Sequence, residues 1–284
     1  MFEHERGYMP RSFLQMKKIT FPLILFSALG VARAYGENSL SIAPSLNHFD
    51  YTEYNSYNQR LDRELGWLPG LVLNANHSSV NGYQFLYEIS YYSGTIDYSG
   101  YTNHGTSHLT QTDETLLTHR IRLSTQLKQN IALFASASRH AWNRNILTTN
   151  GAIGPVIGPY EKYRWKEYSA GISLKLDKNE NSTWYLELSA LRTSQAEFFA
   201  DYSESNQGTV NLDLGERPGA RAQLEWHYKY SSPWSLNIKA RYEYWTFGKS
   251  NVGRTTGGAT SIPLYEPRSE TSNLSIQTAF EYRL

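Results

Sequence analysis

Apolar and polar residues alternate with a period of two through most of this chain. The last twelve residues, Asn273 to Leu284, show it most cleanly. Leu274, Ile276, Thr278, Phe280, Tyr282 and Leu284 fall on one side of an extended strand, and Ser275, Gln277, Ala279, Glu281 and Arg283 on the other. The same rhythm puts Phe85, Tyr87, Ile89 and Tyr91 opposite Gln84, Glu88 and Ser90, and Ile121, Leu123, Thr125 and Leu127 opposite Arg122, Ser124, Gln126 and Lys128. Ile131 to Ala137, Tyr168 to Leu176, Trp184 to Ala190, Leu224 to Tyr230 and Leu236 to Tyr244 repeat it. The first hairpin is read as rising from Leu40 to Tyr54 and descending from Glu64 to Asn76, with Pro44 predicting an edge or a bulge near the seam.

Between these segments, connections alternate in length. Short polar turns at His77–Gly82, Lys128–Asn130, Asp177–Ser182 and Ser231–Pro233 separate longer segments at 94–113, 144–159, 200–208 and 248–267, which are rich in Gly, Pro and polar residues. About ten strands result. The fold class predicted is all-β, a transmembrane antiparallel up-and-down β-barrel with short periplasmic turns and long extracellular loops. A soluble sandwich or lipocalin-like barrel is the physical alternative, with the apolar side turned inward. Against it stand the many charges of both signs on the polar faces and the Tyr and Trp residues that end the apolar ones.

The start of the chain reads differently. Lys17 and Lys18 precede an apolar run, Phe21 to Val31, that ends in Ala32-Arg33-Ala34. This is the pattern of a signal peptide, too short to cross a bilayer as a helix, which needs about 20 residues. Residues 1–34 are expected to be removed and residues 35–284 to form the barrel. Glu3 and Glu5 do not suit a signal peptide, so residues 1–15 are expected to precede the true start at Met16. Removing 1–34 leaves 22 basic against 24 acidic residues, a net −2 that gives no reason to expect nucleic acid as a partner. With no cysteine, disulfides and thiolate chemistry are excluded. The 22 tyrosines and 7 tryptophans, in a chain of mean hydropathy −0.54, suit aromatic girdles at two membrane interfaces.

The C-terminal strand resembles the closing strand of Gram-negative outer-membrane β-barrels. Gln277, Ala279, Tyr282 and Leu284 occupy its polar, glycine and two aromatic positions, with Ala279 in place of the glycine and Leu284 in place of the final aromatic. The resemblance implies localisation to the outer membrane, recognition by the barrel assembly machinery through Gln277, Tyr282 and Leu284, and outer-membrane lipid and lipopolysaccharide as neighbours. In size and strand number the chain is also similar to the omptin family of outer-membrane proteases. Their rim pattern, an Asp-x-Asp pair and an Asp-x-His pair, is not matched: the chain has no Asp-x-Asp, and His48-x-Asp50 runs in reverse order. No omptin site residue carries over.

Chemistry is expected in three places. Glu88, Arg122, Lys128, Lys175, Glu187, Glu225, His227, Lys239, Arg241, Glu243, Glu281 and Arg283 are predicted to face the lumen, where they make either a salt-bridged plug or charge rings of a narrow channel. A turn centred near Ser56 would set His48 opposite Glu64 and Asp50 opposite Asp62, a rim cluster for a base and paired carboxylates, or simply a hydrated ionic contact. The long loops, rich in Asn, Gly, Ser, Thr and Tyr, suit either a constriction or an adhesive surface. His104 and His108 lie in a loop, so a helical i, i+4 metal pair is not expected, and neither metal nor cofactor is implied. The reading is therefore a narrow channel or structural surface protein, alternatively an adhesin or receptor for a host or surface ligand, with a rim hydrolase as a third class.

Overall fold

The computed structural model describes residues 36–101, 105–151 and 154–284. The signal-peptide reading and His104 fall outside those residues. Ten long strands run up and down: β1 (Gly36–Tyr54), β2 (Arg60–Ser79), β3 (Tyr83–Tyr101), β4 (Ser107–Lys128), β5 (Ile131–Ile146), β6 (Tyr160–Lys178), β7 (Ser182–Asp201), β8 (Pro218–Lys229), β9 (Trp234–Phe247) and β10 (Arg268–Arg283). Each pairs antiparallel with its sequence neighbours, and β10 returns to β1 with Ser39 opposite Arg283 and Tyr54 opposite Arg268. The sheet closes, so the edge N–H and C=O groups that lipid could not satisfy are paired.

The expected phases hold. Ile42 and Leu46 on β1, Leu71 and Leu73 on β2, Ile121 and Leu123 on β4, Ile172 on β6, Leu188 on β7, Ile238 on β9 and Ile276 and Phe280 on β10 are all exposed on the outer wall. A packed soluble sheet would bury them, whereas a belt of this kind fits hydrocarbon. Aromatic residues rim the belt. Towards the short-turn end Trp184 lies 6.3 Å from Trp226, Trp226 stacks on Tyr228 at 5.4 Å, and Trp234 meets Tyr282 at 4.9 Å. Towards the long-loop end the belt finishes at Trp67, Tyr91, Tyr168 and Tyr242, all exposed.

Past that level the outward face turns polar, with Asp50, Arg63, Thr95, Asp113, Asn143, Lys162, Arg164 and Glu270. Here the structure corrects the loop reading of 94–113. β3 runs on to Tyr101 and β4 begins at Ser107, paired from Ser93 opposite Thr115 to Tyr101 opposite Ser107. Strand persists because the inward positions remain packable while the outward ones need only face water. Nine residues of β4 at about 3.3 Å each lift the sheet roughly 25–30 Å along the strand beyond the belt.

Pro44 is likewise neither an edge nor a bulge. β1 keeps one register with β10 on both sides of it, Ile42 opposite Phe280 and Ser45 opposite Gln277, and the ladder is simply interrupted at Ala43 and Pro44. At the long-loop end a further strand, Gly208–Leu214, pairs with β7, and Gly208 and Thr209 pair with Gly257 and Thr256. Gly208 has φ +79°, and a Cβ there would collide with the Thr256 carbonyl, so only glycine lets the two loops meet. Val210, Leu212 and Leu214 on this strand are buried against the barrel.

Candidate functional site: a lumen closed at two levels

Inside the barrel, alternate residues of ten strands converge in layers. A cavity of about 410 Å³ opens at the short-turn end. Its lining includes Arg122, Lys175, Glu187, Glu225, His227, Lys239, Arg241, Glu281 and Arg283 together with Glu88, so these expected lumen residues do face inward. Glu243 faces inward slightly higher, beside Arg120 and Arg241. Lys128 instead ends β4 at an exposed turn. The charges are mutually engaged. Arg122 donates through two nitrogens to Glu187, each at 2.7 Å, and lies 4.0 Å from the Phe134 ring centroid. Lys239 stands 3.6 Å from Glu225, and His227 3.7 Å from Glu281.

Above the cavity lies an ionic layer that spans the lumen. Glu88 accepts two bonds from Arg241, at 2.8 and 2.9 Å, and one from Arg120 at 2.9 Å. Arg120 also donates to Glu243 at 2.9 Å, and Arg221 donates to both Glu243 and Glu167. Three guanidinium groups face three carboxylates, a balanced and bidentate arrangement of the kind that lets buried charges persist. Arg120, Arg221 and Glu167 were not among the expected lumen set, although Arg120 shares the inward phase of Arg122, and Arg221 that of Gln223.

Next comes an aromatic layer. Trp142 stacks on Tyr163 at 4.3 Å and meets Phe49 at 5.4 Å; Trp165 packs against Phe247 at 5.3 Å and Trp245 at 5.9 Å; Tyr163 touches Phe198 at 4.9 Å. His140 stacks flat on Trp165 at 4.5 Å. These rings come from β1, β5, β6, β7 and β9, and each Trp, Phe and Tyr in them is buried. Together the two layers close the passage.

The uppermost layer lies above the apolar belt and is unbalanced. Arg144, 1% exposed, stands 3.1 Å from Glu53, 3.0 Å from Glu64, 3.6 Å from Asp62 and 3.2 Å from Glu161. Glu114 accepts a hydrogen bond from the Trp142 indole, and its carboxyl lies within the field of the Glu64 carboxylate. Glu266, carried in by the 248–267 loop, accepts from the hydroxyls of Tyr163 at 2.6 Å and Tyr51 at 3.4 Å. Six carboxyl groups thus surround one guanidinium.

The electrostatics follow from that count. Burial pushes Glu161 up to about 7, with Arg144 pulling it down and Glu53 and Glu64 pushing it further up. Burial also raises Asp62, Glu114 and Glu266, reinforced in each case by a neighbouring carboxylate. Arg144 stays charged: burial opposes its proton, but Glu161 and Glu64 hold its pKa well above the ordinary value.

The expected rim cluster is split by this arrangement. In the first hairpin His48 pairs with Trp67 and Asp50 with Leu65, while Tyr51 faces Glu64 and Glu53 faces Asp62. The turn spans Asn55–Gln59, held by Asn55 as a side-chain acceptor for the amides of Tyr57 and Gln59, and that moves the register by three. An odd shift exchanges the faces. His48 and Asp50 therefore lie on the outer wall, His48 against Trp67 at 4.9 Å and Asp50 held by Arg63 at 2.7 and 2.8 Å. Asp62 and Glu64 point inward to Arg144. The C-terminal positions separate as well: Gln277 is buried in the lumen, whereas Tyr282 and Leu284 face outward.

A closed up-and-down barrel with an exposed apolar belt defines the class: a transmembrane β-barrel of the outer-membrane type. No protein-family model matches the chain, and no curated protein matches it. Among solved structures, it is similar to the outer membrane protease OmpT of Escherichia coli, with a TM-score of 0.57, 10% identity, and 88% of this chain and 97% of that one covered. It is more loosely similar to the translocator domain of the autotransporter NalP from Neisseria meningitidis (TM-score 0.49, 8% identity, 92% and 94% covered) and to outer membrane protein OprG of Pseudomonas aeruginosa (0.42, 9%, 88% and 97%). These likenesses concern the fold.

Proposed function

We propose that the protein is exported by residues 1–34 to the outer membrane, folds there with help from its C-terminal strand, and works at the cell surface. In this reading residues 35–284 form a closed stalk that holds the outer loops rigidly above the lipid for a host or surface ligand, and do not conduct solutes. The observation that carries it is the double closure of the lumen. The balanced layer of Arg120, Arg221 and Arg241 with Glu88, Glu167 and Glu243 is backed by a second barrier of packed rings. Charge rings of a selective pore would instead border water along the whole path. A rim hydrolase is less well supported, because the expected base His48 stands on the outer wall, away from Asp62 and Glu64.

Refolded into planar bilayers, the barrel is expected to show no stable current steps. Arg241→Ala, which opens the ionic layer but leaves the rings above it, is expected to stay silent too. Stable steps in the unaltered protein would overturn this reading and restore the channel. Deleting 255–262, at the tip of the longest loop, tests the other half: the barrel stays folded, and binding to surfaces or cells that the unaltered protein recognises is lost.

A further inference from the structure

The cavity beneath the ionic layer opens at the short-turn end and is roofed by Glu88 with Arg120 and Arg241. Charge on its wall balances. Below the ionic layer the wall carries four cations, Arg122, Lys175, Lys239 and Arg283, and four carboxylates, Glu37, Glu187, Glu225 and Glu281. With no net sign, it has no field to concentrate a free anion or a free cation. Nor does it suit a hydrocarbon, because Ser, Asn and Gln make up much of the remaining surface.

The polar groups of this wall are unevenly used. Arg122 gives two hydrogen bonds to Glu187, whereas Lys175, Lys239 and Arg283 donate no side-chain hydrogen bond among the described residues. Lys239 stands 3.6 Å from Glu225, and Lys175 and Arg283 form no ion pair among the described residues. Asn74 and Asn237 donate through the amide nitrogen to Ser41 at 3.0 Å and to Glu281 at 2.8 Å, and each leaves its carbonyl oxygen without a partner. Donors and acceptors therefore both remain open. A hydroxyl group answers both, since it gives one hydrogen bond and has two lone pairs to accept others.

Register concentrates the open donors. Lys175 on β6 is the ladder partner of Tyr185 on β7, Tyr185 of Glu225 on β8, and Glu225 of Lys239 on β9. Neighbours in one such row point to the same side of the sheet. The two lysines thus stand about 14 Å apart along the inner wall, with Tyr185 and Glu225 between them. The cavity, about 410 Å³, lies within the range of about 300–1,000 Å³ usual for small-molecule pockets.

We propose that this end of the lumen is a blind binding pocket for a neutral saccharide of mono- or disaccharide size, taken up and released on the periplasmic side. Lys175 and Lys239 donate to ring hydroxyls, Glu225 and the carbonyl oxygens of Asn74 and Asn237 accept from them, and Tyr185 gives apolar surface to a C–H face. Nothing in this depends on what the outer loops bind, and the periplasmic orientation sets only the side of entry.

The test is isothermal titration calorimetry of the protein purified from membranes of cells expressing the full chain, in a polyoxyethylene detergent that carries no sugar. Four probes are titrated separately: trehalose, N,N′-diacetylchitobiose, citrate and spermidine. At least one of the two disaccharides is expected to bind one-to-one with a Kd of about 1 mM or tighter. Lys175→Met with Lys239→Met is expected to weaken it at least tenfold, while Lys128→Met, at an exposed turn of the same end, changes it less than twofold. No binding of either disaccharide overturns the pocket and leaves a lumen filled with water alone. Tighter binding of citrate or spermidine than of both disaccharides overturns the neutral ligand, and undiminished binding by the double variant overturns the site. If the double variant loses its heat-modifiable gel migration, the single Lys175→Met, which strands no carboxylate, is read instead, with a loss of threefold or more expected and none overturning the site.

Discussion

Replacing Arg144 by methionine is expected to cost about 3–5 kcal/mol of stability at pH 8, the cost of removing one partner from a buried ionic cluster. Methionine keeps much of the stem's packing against Tyr51 and Trp142, whose rings lie 5.0 and 5.7 Å from the guanidinium carbon. What it removes is the cation shared by Glu53, Asp62, Glu64 and Glu161. Protons can replace that cation. The loss is therefore expected to shrink towards pH 5, which a purely steric defect would not do. Urea unfolding of the refolded barrel in lipid, followed by tryptophan fluorescence at both pH values, measures it. Arg63→Met serves as the comparison: it breaks a half-exposed pair with Asp50 and is expected to cost under about 1 kcal/mol at either pH. Equal losses for Arg144→Met at pH 5 and pH 8 would contradict the electrostatic account.

Most of the barrel was legible because the property that defines it is written residue by residue. Lipid on one side and a polar lumen on the other impose a period of two, and β10, β9 and β4 display it without ambiguity. Eleven of the twelve expected lumen residues from Glu88 to Arg283 face inward for that reason, and Lys128 lies at an exposed turn instead. The upper site was not legible for the same reason. Above the belt the outward partner is water, so Thr95, Asp97, Gln111 and Asp113 erase the apolar half of the alternation, and 94–113 read as a loop. The inward half was still there: Thr112, Glu114 and Leu116 continue the phase of Thr118 and Arg120, and Trp142 and Arg144 continue that of Ser138 and His140. In the first hairpin, register depended on the Asn55–Gln59 turn, which the sequence left open within a few residues. A displacement of three was enough to put His48 and Asp50 on the wrong side of the wall. Glu266 could not be placed at all from pattern, since it reaches the cluster from an irregular loop.

Glu266 also makes the upper site sensitive to pH. Asp62, Glu114, Glu161 and Glu266 all hold protons more tightly in the folded barrel than in an unfolded chain. A carboxyl raised on folding contributes stability below its unfolded pKa and loses that contribution as pH rises through the folded one. For Glu161 the window runs from 4.5 to about 7, a shift equivalent to on the order of 3 kcal/mol for this fully buried group. The upper barrel is thus expected to be tightest in acid and to loosen towards neutral and alkaline pH. The 248–267 loop should respond first. Its Glu266 faces Tyr51 and Glu53 from β1, Arg144 from β5, and Glu161 and Tyr163 from β6, so ionisation sets a third carboxylate beside two others and one cation. Proteolysis within 248–267 is expected to be at least tenfold faster at pH 8 than at pH 5. Glu266→Gln keeps an oxygen for the Tyr163 hydroxyl but cannot ionise, and should bring that ratio to within about threefold. If the loop is cleaved equally at both pH values in the unaltered protein, the carboxyl groups are neutralised by something other than protons, and the cluster has to be reconsidered as the binding site of a cation.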